Sequence, residues 1–432
     1  MFFNTSPAPP YPTQITIVGA GIGGLMLARL LQQASIDVVV YERERAITSR
    51  SQGGCLDMHD DGGQLALRKA GLWEQFRTTC SFEPDLMMLR AKDGSLAFSE
   101  DQVQPSAATA PNNRPEIGRR ELRQIMIDSL LPGTIKWGHM LKAAERAPEG
   151  EEGYACSLTF ERDESDGTKE TVIVRPQFVV GADGTWSRIR PLLTAVKPEY
   201  SGVSFVEMEI VNVEKAHPTV AGFVRGGHMM GLGDSKAIIT QHNAGDIVKV
   251  YAAYRAPETW LGEQDITTSG DPEAVRGRIL KTFDGWSEQL LEIIRAVEPN
   301  FVVRPLMTLD PDLTWATTRG ITLLGDAAHV MTPFAGEGAN QALLDAVDLG
   351  EVLVSVLKGR KGALLERAIA GYECKMQGRA RKASIESMYN MDLFIAEDAP
   401  KRAVERMRLL FSLWPPRPLI FFRALYGLYT SS

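Results

Sequence analysis

One segment constrains this chain more than any other, the run from Ile15 to Glu42. Ile15–Gly19 is a short apolar stretch that ends in glycine. Gly23–Ala34 carries Leu25, Leu27, Leu30 and Leu31 at helical spacing, and Asp37–Tyr41 is a second, β-branched run. A strand, a helix and a strand in that order form a crossover unit, which commits the chain to a parallel sheet. Between the first strand and the helix lies Gly19-Ala20-Gly21-Ile22-Gly23-Gly24, a G-x-G-x-x-G. There Gly19 permits the tight turn, Gly21 lets a diphosphate approach the backbone, and Gly24 lets helix and strand pack closely. The helix start then presents N–H groups and partial positive charge to the phosphates. Glu42 ends the second strand, where a carboxylate accepts hydrogen bonds from a ribose diol, and Arg43 beside it joins the candidate set.

That fingerprint alone fits NAD or FAD. Two later strand ends narrow the choice. Ile321–Asp326 is an apolar strand closing on Gly325-Asp326. Pro333 follows, and Phe334-Ala335-Gly336-Glu337-Gly338-Ala339-Asn340-Gln341 opens a helix. An aspartate at a strand end suits a polyhydroxy chain such as ribityl, and a glycine-rich helix start stabilises negative charge on a reduced flavin. Pro333 and Gly336 line this loop. Phe178–Gly184 is a third apolar strand that ends in glycine and aspartate, at Asp183-Gly184. Three such ends in one chain point to FAD, held non-covalently.

The 432 residues are 44% hydrophobic and 23% charged, with a net charge of −7, which is the composition of a folded globular protein. Disordered, collagen-like and disulfide-stapled classes are excluded. No basic stripe is interleaved with aromatics, so nucleic acid is not an expected partner. The four cysteines form no C-x-x-C and the six histidines no H-x-x-x-H, so no metal site is expected. Scattered thiols suit a reducing, cytoplasmic setting. Residues 1–14 read as a flexible lead-in without the pattern of a secretory signal. No stretch has the length of a spanning helix. Leu409–Tyr429 comes nearest but is broken by Arg417, Arg423 and the Pro415-Pro416-x-Pro418 cluster. Packing on the parent protein is the preferred reading of this tail, and peripheral membrane contact stays open.

The expected fold is α/β: a Rossmann-like FAD-binding domain (15–200 and 309–360), an inserted antiparallel-sheet substrate domain (201–308) and a C-terminal helical segment (361–432). Within the insert, strands are expected at Val203–Val211, Ala221–Arg225, Lys236–Gln241 and Ile247–Tyr254, with a helix at Glu288–Ala296. Long helices are expected at Ala339–Leu357 and Leu364–Met391, an amphipathic one at Arg120–Leu131, and a hairpin pairs Tyr154–Arg162 with Thr171–Arg175. The insert should form a mixed apolar and polar pocket over the flavin, with Phe223, Met229, Met230, Phe334 and Met391 among its walls. His329, inside Gly325–Pro333, reads either as an acid or as a structural histidine beside the flavin loop.

GAGIGG with Glu42, GADGTWSRIR around Asp183 and GDAAHVMTPFAGEGAN around Asp326 together resemble the class A, single-component FAD monooxygenases of the para-hydroxybenzoate hydroxylase type. YERERAITSRSQGGCLDMHDDGGQLALRKAGL and PEIGRRELRQIMIDSL are further similar to the tetracycline-inactivating flavin monooxygenases. The resemblance implies that Glu42 holds the adenosine ribose. It places Arg119 and Asp326 on the flavin and its linker, Arg50 and Asp57 near the isoalloxazine or the nicotinamide, and Asp183 near the pyrophosphate. It implies NADPH (or NADH) as a transient reductant, O2 as co-substrate, and oxygen transfer through a flavin C4a-hydroperoxide to an electron-rich phenolic, polyketide or tetracycline-like molecule. Glu207, His228 and Lys249 stand where that group uses Gln, Arg and His against tetracycline, which makes them candidate substrate contacts. A monomer or weak homodimer is expected. A flavin oxidase or dehydrogenase without NADPH, and a non-catalytic FAD-binding protein, are the alternatives.

Overall fold

The computed structural model describes residues 12–412, apart from 48, 50–53, 83–85, 104–113, 152, 164–167, 226, 244, 269 and 360–364. Arg50 and most of the apolar tail lie outside the described residues. The chain divides into two compact units.

The first unit takes residues up to 80, 117–199 and 307–387. Its centre is a five-stranded sheet in the order Ile321–Leu323, Val179–Gly181, Ile15–Val18, Val38–Tyr41, Ile135–Lys136, with neighbours parallel. The three central strands, Val179–Gly181, Ile15–Val18 and Val38–Tyr41, are buried along almost their whole length, which is why they read as largely apolar runs rather than as alternating ones. Helix Ile22–Gln33 packs against helix Gly338–Lys358, where Gly350 leaves room for Leu27 and Leu30. A three-stranded antiparallel sheet, Lys169–Val174, Cys156–Asp163 and His139–Arg146, contains the expected hairpin. Its Phe160 stacks on Tyr41 at 4.5 Å between ring centroids.

The second unit takes residues 81–116, 200–306 and the described residues from 388 onward. A seven-stranded sheet runs in the order Val302–Thr308, Glu199–Val211, Ile247–Arg255, Lys236–Asn243, His228–Gly233, Met87–Ala91, Leu96–Ser99. Val206, Met208, Ile210, Val248, Val250, Ala252 and Tyr254 point to one face. Helices Pro272–Thr282 and Glu288–Arg295 cover that face with Val275, Ile279, Leu290, Ile293 and Ile294. Both helices are capped in the ordinary way, Asp271 accepting from Ala274 N–H and Ser287 from Leu290 N–H.

Two expectations need adjusting. Ala221–Arg225 is not a strand. Pro218 starts a helix, Pro218–Val224, that buries Val220 and Val224 four residues apart. The unit boundaries also differ from those expected. Met87–Ala91 and Leu96–Ser99 belong to the second unit because Met87–Ala91 pairs with His228–Gly233 across the intervening chain. The helix Leu365–Phe394 contributes its residues up to 387 to the first unit. Among the described residues no helix is long and apolar enough to cross a membrane.

Candidate functional site

Three glycine-bearing strand ends, far apart in sequence, come out on one edge. Val18 pairs with Gly181 and Gly181 with Leu323, so the strands stop in register. The turns that follow, Gly19–Gly24, Ala182–Gly184 and Leu324–Asp326, therefore leave the sheet side by side at its carboxyl end. The first strand is flanked by the second on one side and by Val179–Gly181 on the other. A dinucleotide binds at such a reversal of strand order.

The glycines act as their spacing predicts. Gly19 has φ +112, and a Cβ there would fall 2.2 Å from Ala182 O. A Cβ on Gly24 would fall 2.2 Å from Gly19 O, whereas one on Gly21 would meet nothing within 4 Å. Among the described residues, Gly21 thus faces open space at the start of helix Ile22–Gln33, and no side chain caps that helix start. Glu42 is buried. Its Oε2 accepts from Ala20 N–H at 2.7 Å and its Oε1 from Glu44 N–H at 2.8 Å, so the carboxylate ties the glycine turn to the second strand. Beneath it, Arg123 donates to Ala20 O at 3.1 Å and pairs with buried Glu44 at 3.0 Å. Neither Arg123 nor Glu44 was expected from sequence. The signal was a second basic residue on an amphipathic helix, which resembles a solvated face. Arg43 and Arg119 are exposed.

Asp183 Oδ2 accepts from Arg188 N–H at 2.7 Å, while its Oδ1 is buried without a hydrogen-bond partner among the described residues. Burial raises this carboxyl's pKa, against the pull of the Ser187 hydroxyl and the Arg188 amide. Gly184 has φ +81. On the third turn Gly325 has φ +59, its N–H donates to Asp345 at 2.9 Å, and Asp326 projects an exposed carboxylate.

Pro333–Ala335 forms a single tight helical turn, with Phe334 half-buried, and Gly336 follows at φ +67. Helix Gly338–Lys358 then starts without a side-chain cap. A Cβ on Gly336 would lie 3.5 Å from both Asp57 carboxylate oxygens, so Asp57 and the glycine loop are neighbours. Asn340 is fully buried. Its Oδ1 accepts from His59 and Gly63 N–H, and its Nδ2 donates to Asp57 O, so it fixes the Asp57 segment to the helix. His59, unremarked in the sequence, sits between Asp57 Oδ2 at 2.9 Å and Glu337 Oε1 at 3.2 Å. His329 is buried against Asp345 at 2.6 Å, which favours its structural reading.

Apart from Phe334, the candidate substrate residues lie in the second unit. Strand register puts Glu207, Lys249, Met230 and His228 on the sheet face opposite the helices. Glu207 and Lys249 are buried. Lys249 donates to Glu209 at 2.6 Å and stands 3.9 Å from Glu207, which also pairs with Arg304. Met229 joins the helical core, and Phe223 packs at its margin with Arg90 3.9 Å above its ring, so neither shares the face of Glu207. Met391 is buried in the last long helix, its carbonyl accepting from Arg255.

An open glycine turn, an uncapped helix start, an orphaned acceptor at Asp183 and an exposed carboxylate at Asp326 suit the diphosphate and hydroxyl-rich linker of FAD. The fold and site define a flavoprotein of the aromatic-hydroxylase type. The chain belongs to the family described as FAD binding domain, which it matches over residues 12–267 and 314–383. It is similar to the monooxygenase penA of Penicillium thymicola, at 28% identity over 90% of this chain and 97% of that one. In structure it resembles HpxO of Klebsiella pneumoniae, solved with FAD and uric acid, with a TM-score of 0.69 at 21% identity, covering 92% of this chain and 93% of that one. It also resembles the tetracycline destructase Tet(51), with a TM-score of 0.64 at 19% identity, covering 93% and 96%. The protein is an FAD-dependent monooxygenase.

Glu42→Gln tests the ribose end. An amide cannot accept from both Ala20 and Glu44 N–H, so FAD affinity should fall by roughly ten- to a hundredfold. Quenching of FAD fluorescence on titration with apoprotein measures this.

Proposed function

We propose that this protein uses NADPH or NADH and O2 to insert one oxygen atom into an electron-rich organic molecule of phenolic, polyketide or tetracycline-like character. The observation that carries the reading is the in-register edge at Val18, Gly181 and Leu323, from which three turns with cofactor-binding chemistry emerge together. FAD, when bound, supplies the redox chemistry, namely reduction by the nicotinamide, activation of O2 and delivery of one oxygen atom.

The chain's own residues bind and orient. The Gly19–Gly24 turn and the following helix start face the diphosphate, and Glu42 takes the ribose diol. Asp183 Oδ1 offers an acceptor for a ligand hydroxyl, and Asp326 faces the polyol linker. The start of helix Gly338–Lys358, without a side-chain cap among the described residues, would offer N–H groups and a positive dipole end to negative charge on a bound flavin ring. No second G-x-G-x-x-G follows a strand, which favours a nicotinamide that visits and leaves. Glu207, His228 and Lys249 share a sheet face with Phe205 and Tyr251, whose rings are 5.5 Å apart, and that face mixes charge with aromatic surface. Such a lining suits a flat substrate that carries hydroxyl or keto groups.

The test is a visible spectrum of the purified protein, then NADPH and NADH oxidation with phenols, polyketides and tetracyclines. The expected result is a yellow protein whose nicotinamide consumption is stimulated by substrate and matched by a product one oxygen heavier. A flavin that NADPH and NADH never bleach would overturn the reading.

A further inference from the structure

Eight side chains of the first unit form one unbroken polar chain, centred on a helix that contributes none of the expected cofactor contacts. Arg379, on Leu365–Phe394, spends three different N–H groups. Nη2 donates to Asp345 Oδ1 at 2.6 Å, Nη1 to Asp348 Oδ2 at 2.7 Å and Nε to Gln341 Oε1 at 2.8 Å. From Asp345 one arm runs inward. Asp345 Oδ2 accepts from Gly325 N–H at 2.9 Å and from His329 Nε2 at 2.6 Å, while His329 N–H donates back to Gly325 O at 3.0 Å. Both backbone groups of Gly325 are thus held, and with them the direction of Asp326. From Gln341 the other arm runs to Glu337 at 2.9 Å, on to His59 and then to Asp57 beside Gly336.

We propose that Arg379 is a positioning residue for the flavin site, setting the Gly325–Asp326 turn through Asp345 and the Asp57–Gly336 neighbourhood through Gln341, Glu337 and His59. The inference rests on the FAD reading above and deepens it. Geometry assigns the role to arginine specifically. The three acceptors lie on different sides of a planar fork, and the single nitrogen of a lysine cannot serve them together. Asp345 is fully buried, so the turn it holds has no water to fall back on.

The experiment compares Arg379→Lys with Glu373→Gln. Glu373 lies on the same helix, is more deeply buried than Arg379, and accepts from Trp315, Thr317 and Thr322 rather than from the Gly325 or Gly336 turns. Two quantities are read well below the melting temperature, namely the Kd of the apoprotein for FAD and amide hydrogen exchange at Gly325. Arg379→Lys should raise Kd by about tenfold or more and speed exchange at Gly325 by a similar factor, while Glu373→Gln changes both by less than about twofold. The proposal is overturned if Arg379→Lys matches wild type in either quantity, or if Glu373→Gln weakens FAD equally. Wild-type apoprotein that takes up no FAD would end the functional reading, and Gly325 exchange would still decide the role of Arg379.

Discussion

Gly19→Ala should yield a protein that retains no flavin and is destabilised by more than about 2 kcal/mol, as judged by urea unfolding. Two independent penalties fall on one methyl group. The backbone sits at φ +112, which L side chains rarely adopt, and the new Cβ would lie 2.2 Å from Ala182 O. The carbonyl cannot yield cheaply, because the Ala182 amide is itself bonded to Val18 O at 2.8 Å, in the join between the first strand and its neighbour. Relief would require prising apart the strands that carry two of the three cofactor turns. Gly21→Ala is the matched comparison. Among the described residues its Cβ meets nothing within 4 Å, so the fold should survive while FAD binding weakens where the methyl meets the diphosphate. Unfolding curves and FAD titration of the two variants separate backbone strain from ligand exclusion.

Asp345→Asn should cost about 3–5 kcal/mol, because it leaves a buried cationic group without its counter-charge. Burial alone would lower the pKa of His329, but the Asp345 carboxylate outweighs it and raises the value above the ordinary 6.5. Burial alone would raise Asp345, but His329 and Arg379 hold it below 3.8. The signs then follow from linkage. The raised His329 contributes stability that is complete below about pH 6.5 and fades as pH climbs through the folded-state value. The lowered Asp345 contributes stability that is complete above about pH 3.8 and is lost as pH falls through its folded-state value. Wild type should therefore lose part of this stability as pH rises above about 6.5. His329→Gln should flatten that component, and urea midpoints taken across the range would show it.

Much of the cofactor side was legible because its signals are local. A glycine pattern between a strand and a helix, an acid at the next strand end and apolar runs closing on Gly-Asp each occupy a few consecutive residues. The structure puts Gly19, Gly21, Gly24, Asp183 and Gly325 in the turns that follow those strands, and Glu42 on the backbone of the first turn. The supporting layer was not legible. Arg123, Glu44, His59, Glu337 and Arg379 are polar residues on helices or loops, and nothing in their neighbours distinguishes a buried pair from a solvated one. Partnership there is set by chain segments far away in sequence. The strand mistaken at Ala221–Arg225 has the same origin, since an apolar run that short suits either period and Pro218 decided it. Asn340, a candidate cofactor contact, turns out to spend its amide on the backbone of residues 57–63, a bond no motif could forecast.

The pairing of Met87 with His228, and of Val179 with Ile321, has a bearing on how the protein is made. During synthesis Met87–Ala91 leaves the ribosome long before its mate, and Val179–Gly181 gains its outer neighbour only when three quarters of the chain exists. Neither sheet can be finished early, and unpaired strand margins must be kept apart from other nascent chains in the meantime. Yield in a cell should accordingly respond to growth temperature and chaperone supply more strongly than the finished molecule's own durability would suggest.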